Sequence, residues 1–180
     1  NILPGASVTG GTATLSTAQE TALLDNLSLS TVTDNADGSG SVGWTYSVSN
    51  AEIDFLGAGE TVELTFTVEI NDGNGGTDTQ DVVITITGTN DAPIIDSAAQ
   101  TGSITETADS APTADANPAN ATGTITFDDV DLSDTPTANI LPGASVTGGT
   151  ATLSTAQETA LLDNLSLSTV TDNADGSGSV

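Results

Sequence analysis

Alternation of hydrophobic and polar residues is the clearest pattern in this chain. Residues 61–70 read TVELTFTVEI, in which every second residue is hydrophobic, and residues 81–87 repeat the alternation. A period of two predicts β-strands that each bury one face. Between them, residues 71–76 read NDGNGG, a sequence that accepts positive φ and predicts a hairpin turn. The residues predicted to face inward are Val62, Leu64, Phe66, Val68, Ile70, Val82, Ile84 and Ile86.

Shorter segments follow the same rule. A third strand with inward-facing hydrophobic residues is predicted to follow the turn at residues 37–40, and a further short strand is predicted near residue 125. Several short strands separated by Gly, Asn and Asp turns predict an all-β fold, an antiparallel β-sandwich of the cadherin-like or immunoglobulin-like kind. The residues of these two segments predicted to face inward are Val42, Trp44, Tyr46, Val48, Gly123, Ile125 and Phe127.

One short helix is predicted at residues 16–26, STAQETALLDN. Thr17 and Glu20 have the spacing of a capping box. An inner stripe is predicted at Ala18, Ala22 and Leu23. Residues 107–121 are small and polar and contain Pro, which predicts a mobile loop.

An internal repeat defines the domain organisation. Residues 1–42 recur without a change at 139–180, so the period is 139 − 1 = 138 residues, the size of one domain. We expect an excerpt of about one and a third periods from a longer tandem array. The sequence Gly-Thr-Asn-Asp-Ala-Pro at 88–93 follows a strong strand and predicts the boundary. Residues 1–90 are then the later part of one repeat, which lacks its first strands, 91–93 are a linker, and 94–180 are the early part of the next repeat.

Charge and composition exclude several function classes. The chain has 25 Asp and Glu and no Lys, Arg, His or Cys, so its formal net charge is −25. Nothing could neutralise a nucleic-acid phosphate or bind an anionic membrane surface, and no long apolar stretch would insert into a bilayer. Most general bases, thiolate nucleophiles and zinc sites are also excluded, and we predict no enzyme activity. Oxygen ligands remain, and these suit calcium.

Four motifs together resemble the VCBS repeat of giant, RTX-type bacterial surface adhesins, a family similar to cadherin domains in topology. They are Phe-Leu-Gly-Ala-Gly-Glu-Thr at 55–61, Asp-Gly-Asn-Gly-Gly at 72–76, Gly-Thr-Asn-Asp-Ala-Pro at 88–93, and Asp-Val-Asp at 129–131. The resemblance implies an extracellular location on the bacterial cell surface, tandem stacking and calcium at the junctions between repeats. The junction ligands that it implies are Asp72, Asn90, Asp91, Asp129 and Asp131. It also implies that Glu106 is a ligand of the next junction.

The residues themselves favour part of this set. Asp129 and Asp131 are two apart, so on an extended segment their side chains point the same way. An Asn-Asp linker adds side-chain and backbone oxygens. The alternative interpretation is that these Asp and Asn residues stabilise turns and are not metal ligands. This alternative is strongest for Asp72. Residues 129–134 begin like an EF-hand loop, but they lack its Gly at the sixth position and its acid at the twelfth.

The predicted function is a calcium-stiffened structural spacer, or stalk, of an extracellular adhesin. Its partners would be the neighbouring repeats of the same chain. Two alternatives remain. The chain could be a subunit of an extracellular filament in which copies add strands to one another, because unpaired sheet edges invite such addition. It could also be a module that binds carbohydrate or a host surface, which exposed aromatic side chains would favour.

Overall fold

The computed structural model describes residues 1–108 and 118–180, and it divides into two compact units. Unit 1 comprises Asn1–Ala92 and Val130–Asp134. Unit 2 comprises Pro93–Asp129 and Thr135–Val180, without the residues that are not described. The strands are antiparallel throughout, and the described residues hold two short helices, which confirms the predicted all-β class. Within the described residues no helix is long and apolar enough to cross a membrane.

Unit 1 contains seven strands in three sheets. A three-stranded sheet has the order β1-β6-β7, and two smaller sheets pair β2 with β5 and β3 with β4. The elements are β1 (Ser7–Gly11), α1 (Thr17–Leu24), β2 (Leu27–Leu29), β3 (Thr33–Asp34), β4 (Gly40–Ser41), β5 (Trp44–Tyr46), a 3₁₀ turn (Asn50–Glu52), β6 (Thr61–Asn71) and β7 (Thr77–Thr87).

The β6–β7 hairpin supplies most of the core, as its sequence pattern predicts. The two strands pair without a break from Thr61 opposite Thr87 to Asn71 opposite Thr77. Alternate side chains on one face are buried, because the side-chain period of a strand is two. The buried core consists of Leu23, Leu27, Leu56, Val62, Leu64, Phe66, Val68, Val82 and Ile86.

The described residues of unit 2 form one sheet of four short strands in the order β10-β11-β9-β8, and a second helix. Its elements are β8 (Ile94–Ile95), β9 (Thr126–Asp128), α2 (Thr155–Leu162), β10 (Thr171–Asp172) and β11 (Ser177–Ser179). The strand predicted around Ile125 is β9. Ile125 itself exchanges two backbone hydrogen bonds with Val180, at 2.9 and 3.0 Å, and so extends the pairing of β9 with β11.

The 42-residue duplicate adopts two different structures. The helix and the following hairpin form in both copies, as α1 with β3–β4 and as α2 with β10–β11. Strands β1 and β2 form only in the first copy, where they pair with β6 and β5. Leu23 is fully buried, whereas its counterpart Leu161 is 59% exposed. The local elements are therefore encoded by the segment itself, and the others depend on the β5–β7 region.

Several predicted details differ in the structure. Trp44 was predicted to face inward but is 51% exposed. It begins β5, a strand of only three residues that pairs with β2 alone, so the pairing leaves its side chain partly uncovered. Ile70 is exposed at the end of its hairpin. Ala18 and Ala22 are also exposed, and Leu23 alone of the predicted helix stripe is buried. The helix cap is Ser16 with Gln19, one residue before the predicted pair. The predicted mobile loop at 107–121 falls largely on residues outside the described ranges.

Candidate metal centre

Three aspartates converge immediately after β9. Asp129, Asp131 and Asp134 each offer a carboxylate oxygen, and these oxygens all lie within 4.8 Å of one another. Asp131 is 2% exposed, Asp129 is 6% exposed and Asp134 is half-buried. Burial of carboxylates is uncommon, because each loses its hydration. We call these three residues the aspartate cluster.

A tight turn brings the cluster together. The amide of Asp134 donates to the carbonyl of Asp131 at 3.0 Å, which closes the turn over the residues between them. At its start, the amide of Asp129 donates to the carbonyl of Gly176 at 2.6 Å, in continuation of the β9–β11 pairing. The backbone path, and not a helix or a long loop, therefore sets the spacing of the three carboxylates.

The linker after β7 contacts the cluster directly. The backbone amide of Asp91 donates to Oδ2 of Asp131 at 2.8 Å. A hydrogen bond to a carboxylate is stronger than one between neutral groups, so it fixes the Asp131 side chain. The predicted linker and the predicted Asp-x-Asp pair are thus brought together by the fold. Asn90 is exposed, and its side-chain amide contacts the carbonyl of Asp91.

A glycine-containing loop at residues 55–60 supports the other side of the turn. The amide of Leu132 donates to the carbonyl of Phe55 at 3.3 Å. Gly57 is close to the turn: a Cβ added there would lie 2.7 Å from Ser133 Oγ and 3.5 Å from Asp134 Oδ1. The Glu60 carboxylate accepts a hydrogen bond from the Gly57 amide at 3.0 Å. The first of the four sequence motifs therefore packs against the aspartate cluster.

Gly88 allows the end of β7 to approach this loop. Its amide donates to the carbonyl of Glu60 at 2.8 Å, and its carbonyl accepts from the amide of Gly59 at 3.1 Å. A Cβ at position 88 would lie 2.2 Å from the Leu56 carbonyl oxygen and 2.5 Å from that of Gly57. A side chain at this position would collide with backbone, so glycine is required by the close approach.

The three carboxylates repel one another when they are ionised. Two unit charges no more than 4.8 Å apart repel by about 3.5 kcal/mol or more at an effective dielectric constant of about 20. The sequence has no Lys, Arg or His that could offset this repulsion. A bound cation would convert the repulsion into attraction, and the oxygen-only donor set suits a hard cation such as Ca²⁺ or Mg²⁺.

The structure does not bring Asp72 to the cluster. Asp72 lies at the tip of the β6–β7 hairpin, whereas Gly88 and the linker lie at its base. Eleven residue pairs separate the two ends, a distance of roughly 35 Å at the usual rise of a strand. Its Oδ1 accepts hydrogen bonds from the amides of Asn74 at 2.7 Å and Gly76 at 2.9 Å. These bonds lower the pKa of Asp72 and identify it as a turn-stabilising residue.

Glu106 also lies apart from the cluster. It is exposed in a segment without regular secondary structure in unit 2, and it is not a member of the aspartate cluster. Its predicted role at another junction stays a prediction.

Sequence reasoning missed Asp134 as a member of the aspartate cluster. The signal was present in the spacing Asp-x-Asp-x-x-Asp at 129–134, which was compared only with the EF-hand loop. An EF-hand wraps ligands along twelve residues, whereas here one turn brings three carboxylates together. The turn-forming Leu132-Ser133 pair was the feature that could have indicated it.

Comparison of the chain with protein-family models, with curated proteins and with solved structures finds no match in any of the three.

Proposed function

We propose that the chain is a tandem β-sandwich repeat, stiffened by calcium, that acts as a structural spacer in an extracellular bacterial adhesin. The observation that carries the proposal is the buried aspartate cluster, with Asp131 hydrogen-bonded to the Asp91 amide of the linker. A spacer needs length and stiffness more than it needs a substrate site. A repeat of 138 residues supplies length, and a cation held at the linker would supply stiffness.

Calcium is the cation that this site favours. It takes six to eight oxygen ligands at flexible geometry, whereas magnesium demands a strict octahedron and keeps several waters. The cluster offers three carboxylates, and the adjoining linker, whose Asp91 amide contacts Asp131, carries further side-chain and carbonyl oxygens at Asn90 and Asp91. Extracellular calcium-binding modules function at weak affinity, with dissociation constants of about 0.1–1 mM.

Calcium binding would restrain the linker through Asp131. Its carboxylate already accepts the Asp91 amide, so a cation on the same carboxylate would be coupled to the linker by one shared side chain. Without the cation, repulsion among the three carboxylates opposes the turn that brings them together. Removal of calcium should therefore loosen residues 129–134 and the linker, while the β6–β7 hairpin stays folded.

A two-layer sandwich is supported by contacts between the sheets of unit 1. Tyr46 on β5 packs against Phe66 on β6, with ring centroids 6.0 Å apart. The Tyr46 hydroxyl donates to the carbonyl of Leu23 at 2.9 Å, which links β5 to α1. These contacts support a packing of the β2–β5 pair over the buried face of the β1-β6-β7 sheet, as a sandwich requires.

A binding module for carbohydrate or a host surface is the second candidate, and one observation favours it. Trp44 is 51% exposed and lies beside a groove of about 440 Å³. Exposed aromatic rings serve as stacking platforms. The groove is lined mainly by aliphatic side chains, however, with Gln80 and Asp81 as its polar members. A sugar would require more hydrogen-bonding groups than these, so the spacer remains the preferred function.

Calorimetric titration with CaCl₂ tests the metal assignment. The variant Asp131→Asn with Asp134→Asn removes two cluster charges while keeping side-chain shape. Its matched control, Asp25→Asn with Asp163→Asn, removes two exposed charges at equivalent positions of the duplicate. We expect saturable binding in the wild type and the control, and at least a tenfold weaker affinity in the cluster variant. Equal affinity in all three proteins would refute the site, because calcium would then be bound by net charge alone.

A further inference from the structure

The turn between β6 and β7 contains a chemically labile pair of residues. Asn74 is followed by Gly75, and this is the only Asn-Gly pair in the sequence. Asparagine is among the thermally labile residues of proteins, because its side-chain carbonyl can be attacked by the backbone nitrogen of the next residue. A glycine in that next position has no Cβ to crowd the attacking nitrogen. The pair is therefore the position in the chain where this attack meets the least steric hindrance.

Hydrogen bonds hold the backbone on both sides of the attacking nitrogen. Oδ1 of Asp72 accepts the backbone amide of Asn74 at 2.7 Å and that of Gly76 at 2.9 Å. These two amides are the main causes of the lowered pKa of Asp72, and the amide of Gly75 between them contributes less. The nitrogen that would attack is thus the least restrained of the three.

The group that would leave is also weakly held. Nδ2 of Asn74 donates to the carbonyl of Asp72 at 3.3 Å, which is longer than the usual N–H···O range of about 2.7–3.2 Å. Gly75 has a φ of 101°, and a Cβ added there would meet no atom within 4 Å. Asn74 is exposed, so water has access to its side chain.

We propose that Asn74 is a site of spontaneous deamidation. The Gly75 nitrogen gives its proton to hydroxide and bonds to Cγ of Asn74, while the Cγ–Nδ2 bond breaks and Nδ2 takes a proton from water and leaves as ammonia. Water then opens the resulting succinimide ring at either of its carbonyls. One opening gives aspartate, and the other gives isoaspartate, in which the main chain runs through the former side chain. Water is the only co-reactant.

The Asp-Gly pairs of the chain are less reactive in the same ring closure. They are Asp37-Gly38, Asp72-Gly73 and Asp175-Gly176. An aspartate must lose an oxygen instead of ammonia in this reaction, so it reacts as the protonated acid. Hydrogen bonds lower the pKa of all three carboxyl groups, which keeps them ionised at neutral pH. The modification should therefore be confined to Asn74.

The isoaspartyl product should open the turn. The amide of Asp72 donates to the carbonyl of Gly76 at 3.0 Å, next to the pairing of Asn71 with Thr77 that ends the two strands. Isoaspartate adds a methylene to the main chain between the two partners of this bond, so the turn no longer fits the end of the hairpin. The aspartate product adds a charge but keeps the backbone length, and it should keep the turn. The site lies within unit 1 and does not involve the aspartate cluster.

Two glycine variants of the full chain test the chemistry at mildly alkaline pH. Gly75→Ala puts a Cβ beside the attacking nitrogen and should abolish the product. Gly73→Ala is the matched control, because its φ of 75° is also positive and the substitution strains the same turn, but the Asn-Gly pair is kept. Asn74→Gln, which keeps both glycines, should also abolish the product. Circular dichroism checks folding.

Isoelectric focusing detects the added charge, and peptide mass mapping locates it. We expect product at Asn74 in the wild type and in Gly73→Ala. A synthetic peptide of residues 69–79 shows that the conditions permit the reaction. The proposal is overturned if the peptide is converted and the folded chain is not, if other asparagines react as fast, or if the two glycine variants react equally.

Hydrogen exchange tests the effect on the turn. The isoaspartyl form, separated by chromatography, is compared with Asn74→Asp, which adds the same charge without lengthening the main chain. We expect the Asp72 amide to lose protection in the isoaspartyl form alone, while amides in the middle of β6 stay protected in both. Equal protection of the Asp72 amide in the two forms would show that the modification leaves the turn closed, and it would overturn this part of the proposal.

Discussion

Substitution of Leu23 and of Leu161 would measure how much tertiary packing contributes to stability, because the local sequence around the two residues is the same. Both occupy the same position of the same helix sequence, but Leu23 is fully buried and Leu161 is 59% exposed. Leu23→Ala removes a side chain packed in the core, which costs about 2–5 kcal/mol of unfolding free energy. Leu161→Ala removes a largely exposed side chain, and it should change stability by less than about 0.5 kcal/mol.

The difference between the two variants isolates the packing term, because the change in helix propensity is the same in both. Urea unfolding measures it, with Trp44 fluorescence as the probe of unit 1 and far-UV circular dichroism as the probe of the whole chain. The midpoint should move to lower urea for Leu23→Ala and stay in place for Leu161→Ala. Similar shifts by circular dichroism would refute the reasoning, since the two copies would then be equally packed.

Gly88→Ala should destabilise unit 1 by about 1–3 kcal/mol, because the new Cβ would collide with two backbone carbonyls. Gly10→Ala is the control, because a Cβ at that position would make an ordinary contact at 3.4 Å. Equal urea midpoints for the two variants would contradict the account. The pKa values of Asp37 and its duplicate Asp175, measured by NMR, should both lie below 3.8, because the hydroxyl and amide of Ser39 donate to Asp37 and those of Ser177 donate to Asp175. The stabilisation from these bonds is present above the unfolded pKa and is lost as pH falls through the lowered folded pKa. Clearly different titration midpoints for the two residues would contradict a local cause. Tyr46→Phe should lower the unfolding free energy of unit 1 by about 0.5–1.5 kcal/mol, because the Leu23 carbonyl loses its hydrogen-bond donor. An unchanged urea midpoint would contradict this, since water would then replace the Tyr46 hydroxyl as the donor.

The sequence predicted best where structure is local or strongly periodic. The β6–β7 hairpin was predicted apart from the first four residues of β7, because its alternation runs through both strands and its turn has residues that accept positive φ. The helix was also predicted, with its cap displaced by one residue. These elements need little help from distant segments, and the helix and the β3–β4 hairpin form in both copies of the duplicate.

Trp44 shows what periodicity could not decide. Its alternation with Val42 and Tyr46 is that of a core position, but burial depends on what covers the strand. The same dependence separates Leu27, which is 8% exposed, from Leu165, which is 66% exposed. No pattern within a segment distinguishes these pairs, because the difference lies in the partner strands.

The candidate metal centre was predictable in part. Asp129 and Asp131 converge as their spacing predicts, and the linker reaches them through the Asp91 amide. Asp134 joins them through a turn that the strand argument did not consider. Asp72 matched a motif, but a hairpin of eleven residue pairs carries it away from the linker. Motif order along the chain did not show which end of that hairpin each motif would occupy.

Thermal unfolding of the full chain, first in EDTA and then in millimolar calcium, tests the central claim most directly. Calcium at a hundredfold excess over its dissociation constant should stabilise the folded state by about 2.7 kcal/mol, which corresponds to a rise in Tm of roughly 5–10 °C for a chain of this size. The rise should disappear in the Asp131→Asn, Asp134→Asn variant and persist in the Asp25→Asn, Asp163→Asn control. An equal rise in both variants, or no rise in the wild type, would contradict a stiffening role for calcium at the aspartate cluster.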